Sequence, residues 1–144
     1  MSIRKNVLTL ALAGGLAAAL LPVAANAQSG LLTRAEVLPK LTLSAGQPLA
    51  EGPLELESGK HYKLVIEADG TAELAIRGPE FFRNVWVNEV VINDIEVRPL
   101  GVDSIEFDAA GEVEITFVTI RPGSFALFIP GTTGESQRVA INVK

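Results

Sequence analysis

From Pro53 to the C-terminus, apolar and polar residues alternate with a period of two, and turn residues interrupt the alternation every ~8–12 positions. Successive side chains of a strand point to opposite faces, so the pattern predicts short strands with one buried and one wet face. Leu54 and Leu56 alternate with Glu55 and Glu57; Tyr62, Leu64 and Ile66 alternate with Lys63, Val65 and Glu67. Val113, Ile115 and Phe117 alternate with Glu112, Glu114 and Thr116, and Val139, Ile141 and Val143 close the chain. Ser58-Gly59, Gly78-Pro79, Asn93-Asp94, Asp108–Gly111 and Pro122-Gly123 read as turns or breaks, and Asp69-Gly70 as a hairpin signal. Roughly seven to nine strands follow, which predicts an all-β fold, a Greek-key sandwich or barrel.

The chain before Pro53 is different. Arg4 and Lys5 precede an apolar run from Leu8 to Val23, and Ala25-Asn26-Ala27 fits a small-x-small cleavage site. Residues 1–27 therefore read as a secretory signal peptide cleaved after Ala27, which predicts export to the periplasm without stable membrane insertion after cleavage. Residues 28–52 read as a leader segment, broken by Pro39 and Pro48, with one short strand near Leu41–Leu43. Residues 53–144 are left as the β-sandwich domain.

Without residues 1–27 the chain holds 144 − 27 = 117 residues, enough for one domain with its own core. Arg4 and Lys5 leave with the signal and no acidic residue does, so the net charge of the rest is 10 − 17 = −7. An acidic surface without basic clusters disfavours nucleic acid as a partner. The chain has no Cys, and its one Met is Met1. The exported part thus contains no sulfur, and its stability rests on the hydrophobic core alone.

Several segments, in order, resemble the cupredoxins, small β-sandwiches that carry copper. Gly59-Lys60-His61-Tyr62-Lys63-Leu64 looks like an early strand of that family. The run AELAIRGPEFF from Ala72 to Phe82 looks like "H-E-F-x-x-P-E-F-F", whose first His is a copper ligand and aligns with Leu74. FDAAGEVEITF from Phe107 to Phe117 looks like the strand before the family's Pro-Gly turn. Phe125 to Gly131 stands where the family has "Y-x-F-x-C-x-x-H", with Ile129 in place of the Cys. The resemblance implies a cupredoxin-like sandwich over residues 53–144. It also implies that the type-1 ligands are gone: two imidazoles and a thiolate are needed, and Leu74 and Ile129 supply neither. Leu74 and Ile129 are expected to form an apolar plug where the copper would sit.

No catalytic, cofactor-binding or metal-binding residue emerges. His61 is the sole imidazole, and no serine has a G-x-S-x-G or S-x-x-K context, so an enzyme is not expected. The pairs Glu55/Glu57 and Glu112/Glu114 each share a strand face. That arrangement suits a solvated edge, and also a hard-cation site. Phe81, Phe82, Arg83 and Trp86 form the densest aromatic run and are the candidate partner surface, the alternative being that the rings are core. The expected function is that of a non-enzymatic accessory domain. It would bind a protein partner with the end of the sandwich around Phe81–Trp86 and the 130–136 loop. The alternative is a metal-handling protein that binds copper or iron through His61 and carboxylates, because copper could be held only by a site other than type 1. Partner identity and oligomeric state are not legible in the residues.

Overall fold

The structure is a computed structural model that describes residues 30–144; the expected signal peptide and cleavage site lie outside the described residues. Among the described residues, eleven strands run in chain order: β1 (Glu36–Val37), β2 (Leu41–Leu43), β3 (Leu54–Leu56), β4 (His61–Ala68), β5 (Leu74–Arg77), β6 (Val85–Ile92), β7 (Ile95–Val97), β8 (Ser104–Phe107), β9 (Gly111–Thr119), β10 (Gly123–Phe128) and β11 (Arg138–Val143). One short helix, α1 (Pro79–Phe82), joins β5 to β6, and single 3-10 turns lie at Gly30–Leu32 and Glu135–Gln137. Among the described residues, no helix is long and apolar enough to cross a membrane.

The strands form two sheets. The first has the order β1-β4-β9-β6-β7, with β2 also pairing β4; the second has the order β3-β11-β10-β5-β8. The period-two pattern decides which faces meet. On β4, Tyr62, Leu64, Ile66 and Ala68 are buried, while His61, Lys63, Val65 and Glu67 face outward. On β9, Val113, Ile115 and Phe117 point the same way, and from the second sheet Leu54, Leu56, Leu127, Val139, Ile141 and Val143 meet them. Each fully buried Leu or Ile contributes about 1.5–3 kcal/mol relative to an exposed one, so the facing rows account for most of what holds the sheets together.

An aromatic cluster fills one part of the core. Phe81 meets Phe117 edge-on at 5.3 Å and lies 5.6 Å from Phe82 and 6.2 Å from Phe125, and Tyr62 lies 5.9 Å from Phe117. The Tyr62 hydroxyl accepts from the Glu57 amide at 2.8 Å, which satisfies its polar end inside the core.

The segment before Pro53 joins this architecture. β2 forms where a strand was expected, and β1 forms as well; both run parallel to β4, with Glu36 opposite Tyr62 and Leu43 opposite Ala68. Leu38, Leu41, Leu43 and Leu49 are buried in the common core. The Asp69-Gly70 hairpin is not formed. β4 lies in the first sheet and β5 in the second, so Asp69-Gly70 is a corner between layers. The Asp69 carboxylate accepts from the Thr71 amide at 2.9 Å and from the Thr71 hydroxyl at 2.6 Å, which turns the chain out of the first sheet.

Candidate interaction surface

The four residues expected to form one docking patch part company in the structure. Pro79 starts α1, where its fixed φ costs no hydrogen bond, and the single turn aims Phe81 and Phe82 inward. Both rings are buried in the aromatic cluster, so the reading of Phe81 and Phe82 as surface is corrected. The reason is volume: α1 bridges the layers, and two rings fill the gap beneath it. Arg83 is exposed and pairs with Glu80 of its own helix at 3.6 Å. Trp86 is 49% exposed, on the outward face of β6.

The strand register shows what surrounds Trp86. Trp86 and His61 both lie opposite Val118, one on each side, so the three form a row across β6, β9 and β4. Val118 faces outward yet is buried between them. The Nδ1 of His61 lies 3.0 Å from the Thr33 carbonyl, which can only accept, so Nδ1 carries the proton. The Nε2 is shielded and has no hydrogen-bond partner among the described residues.

Two backbone contacts bring further apolar side chains to this end. The Gly30 amide donates to the Gly59 carbonyl at 3.2 Å, which places Leu31 and Leu32 beside the start of β4. The Ile120 amide donates to the Asn84 carbonyl at 3.1 Å, and the Ser58 hydroxyl donates to the Ile120 carbonyl at 2.9 Å. Leu31, Leu32, Trp86 and Ile120 are all exposed, Leu32 almost completely at 92%. Sequence reading missed Leu31, Leu32 and Ile120, because they sit far apart in the chain outside any periodic run.

The 130–136 loop does not share this end. The Leu49 amide donates to the Ser136 carbonyl, and the Thr42 amide to the Leu49 carbonyl, while Thr42 lies opposite Glu67 near the finish of β4. His61, at the start of β4, marks the Trp86 end. The two ends are roughly 20–25 Å apart along the strand. Trp86 therefore does not share a surface with the 130–136 loop, whereas Pro79 and Glu80 at the start of α1 line a groove with Phe128 and Arg138 that adjoins the loop.

Leu74 and Ile129, expected as a plug, lie toward the loop end. Arg77 pairs with Phe128, so continuing the antiparallel register sets Ile76 opposite Ile129, with Leu74 two residues farther along the same face. Ile76 and Ile129 are buried, and Leu74 packs against the same core. Apolar side chains thus occupy the positions where the resemblance puts the first His and the Cys.

Each glutamate pair has a member engaged by nearby donors. Asn142 donates to Glu55 at 2.7 Å and Lys144 pairs with it at 2.9 Å, which together hold its carboxyl below the ordinary range. Glu114 pairs with Lys63, and Glu67 with Lys40. Among the described residues, His61 belongs to no group of three metal-capable side chains. The group that comes within 4.8 Å is Glu73, Glu106 and Asp108, all exposed.

No known family profile matches the chain, and no curated protein matches it by sequence. Solved structures do match in fold. A multicopper oxidase from Campylobacter jejuni, described as a metallo-oxidase, aligns over 78% of this chain at 8% identity with a TM-score of 0.53. A copper nitrite reductase from Nitrosomonas europaea aligns over 66% at 13% identity with a TM-score of 0.52. A blue copper oxidase from the same organism aligns over 74% at 11% identity with a TM-score of 0.52. The alignments cover 31%, 33% and 44% of those chains, so this chain spans less than half of each. What it shares with these copper proteins is the cupredoxin fold, carried on a sequence with no cysteine to give a type-1 copper its thiolate.

Proposed function

We propose that this chain is an exported, non-enzymatic cupredoxin-fold domain that works in the periplasm by binding another protein through the Trp86 end of the sandwich. The observation that carries the reading is the exposure of Trp86 among Leu31, Leu32 and Ile120, on a protein whose other large rings are turned inward or half-covered. Trp is among the residues most enriched at interface hot spots, and apolar side chains exposed at the same end would help exclude water around it. The fold relates the domain to copper proteins, and the missing thiolate directs its use away from type-1 electron transfer.

Photo-crosslinking in cells of the source organism tests this. A benzoyl-phenylalanine at position 86 is expected to capture a discrete protein adduct in the periplasmic fraction. The same group at position 73, exposed toward the other end, is expected to capture none. An identical adduct pattern at both positions, or no adduct at position 86, overturns the reading.

A further inference from the structure

We propose that β7 is a self-complementary edge, which pairs antiparallel with β7 of a second copy of this chain. β7 ends the order of the first sheet and has a strand neighbour, β6, on one side only. All of its residues are exposed, among them Ile95 at 65%, and Leu100 just beyond it is fully exposed. An edge that is open and apolar invites strand addition.

The hairpin sets the phase of that edge. Asn93 and Asp94 have φ of +50° and +64° and form a two-residue turn between Ile92 and Ile95, which face each other. In such a hairpin the flanking pair exchanges hydrogen bonds, so the amide and carbonyl of Ile95 and of Val97 point toward β6. Those of Glu96 and Arg98 point away from the sheet. Pro99 keeps Arg98 extended, so the outward phase continues past the end of β7.

The phase and the charges together select one register. A second copy must pair outward-bonding residues with outward-bonding residues. Setting Glu96 opposite itself, or Arg98 opposite itself, brings like charges together. The register that centres on Val97 sets Glu96 opposite Arg98 twice, by symmetry. It also sets Val97 opposite Val97 at the dyad, and Ile95 opposite Pro99. The missing amide of Pro99 falls at a position that makes no bond across the pair. Opposite charges meet on one face, apolar side chains on the other, and both partners use the same patch, as a two-fold dimer requires. Within its own chain the Arg98 guanidinium lies 3.1 Å from Glu89 and donates to Asn88 Oδ1 at 3.1 Å, both on β6, and lies 3.3 Å from Glu96, so pairing across the dyad requires it to swing from β6 to the Glu96 of the second copy. This inference is independent of the Trp86 surface, because Trp86 lies at the opposite end of β6 from the hairpin.

Sedimentation equilibrium of the purified protein, at roughly 10 μM to 1 mM for a small and weak interface, tests the pairing. The wild type is expected to shift from monomer toward dimer over that range. Glu96→Arg alone and Arg98→Glu alone are each expected to stay monomeric, whereas an equimolar mixture of the two forms a heterodimer. Hydrogen exchange gives a second readout: the amides of Glu96 and Arg98 slow as concentration rises, and that of Val97 does not change. A wild type that remains monomeric throughout, a dimer that survives both single reversals, or a mixture that fails to associate overturns the proposal.

Discussion

Phe81 and Trp86 lie five positions apart and have opposite fates. Phe81 sits among Phe82, Phe117 and Phe125, so Phe81→Ala is expected to cost roughly 3–5 kcal/mol of stability. Trp86→Ala is expected to cost less than about 1 kcal/mol, since its ring is half in solvent. Urea denaturation of the two variants measures both. A large loss at Trp86 would mean that its ring holds the fold rather than waits for a partner. The sequence displayed the aromatic density but not this division, which depends on where Pro79 starts a single helical turn. Asp69 gives a prediction in pH. The Ser44 hydroxyl, followed by the hydroxyl and amide of Thr71, holds its carboxyl below its ordinary value of 3.8. A lowered folded value stabilises above the unfolded value and loses that stabilisation as pH falls through the folded one. Thermal midpoints of Asp69→Asn are therefore expected to lie below wild type near neutrality and to converge with it in acid below 3.8. A gap that persists unchanged in acid would show that the carboxylate charge is not what matters.

At the scale of elements, alternation was the reliable signal. The strands around Tyr62, Ile115 and Ile141 could be read directly, because each has one face in the core. Connectivity was less legible: Asp69-Gly70 has the composition of a hairpin turn and serves as a corner between layers. Local sequence specifies the bend, while the sheet that receives the next strand is decided by distant core residues. Gly70 is needed at that corner, with φ of +75° and an added Cβ that would stand 2.8 Å from the Ala110 amide nitrogen. Gly46 has a similar φ of +73° and open space around it. Gly46→Ala should cost about 1–2 kcal/mol for the left-handed backbone alone, and Gly70→Ala more, because the 110 segment must also move. Equal losses in urea would contradict the corner's tight packing. The surface around Trp86 was illegible for a related reason: Leu32, Trp86 and Ile120 are brought to the same end only by sheet register and turn contacts.

At the scale of the whole molecule, the chain shares the cupredoxin fold of copper proteins and has no cysteine to serve as a type-1 ligand. The resemblance could be read from motif order, and the apolar residues at Leu74 and Ile129 from direct inspection. That Ile76 and Ile129 share the core emerged only from the structure, in which Arg77 pairs with Phe128. With apolar side chains at those positions and no thiolate in the chain, a type-1 copper has no ligands there, which is why the proposed function looks to the surface. The most direct measurement is copper loading of the purified protein with Cu(I) and Cu(II), followed by desalting, metal analysis and a visible spectrum. The account predicts that copper is not retained in stoichiometric amount and that no intense thiolate-to-copper band appears. One copper per chain surviving desalting would contradict it.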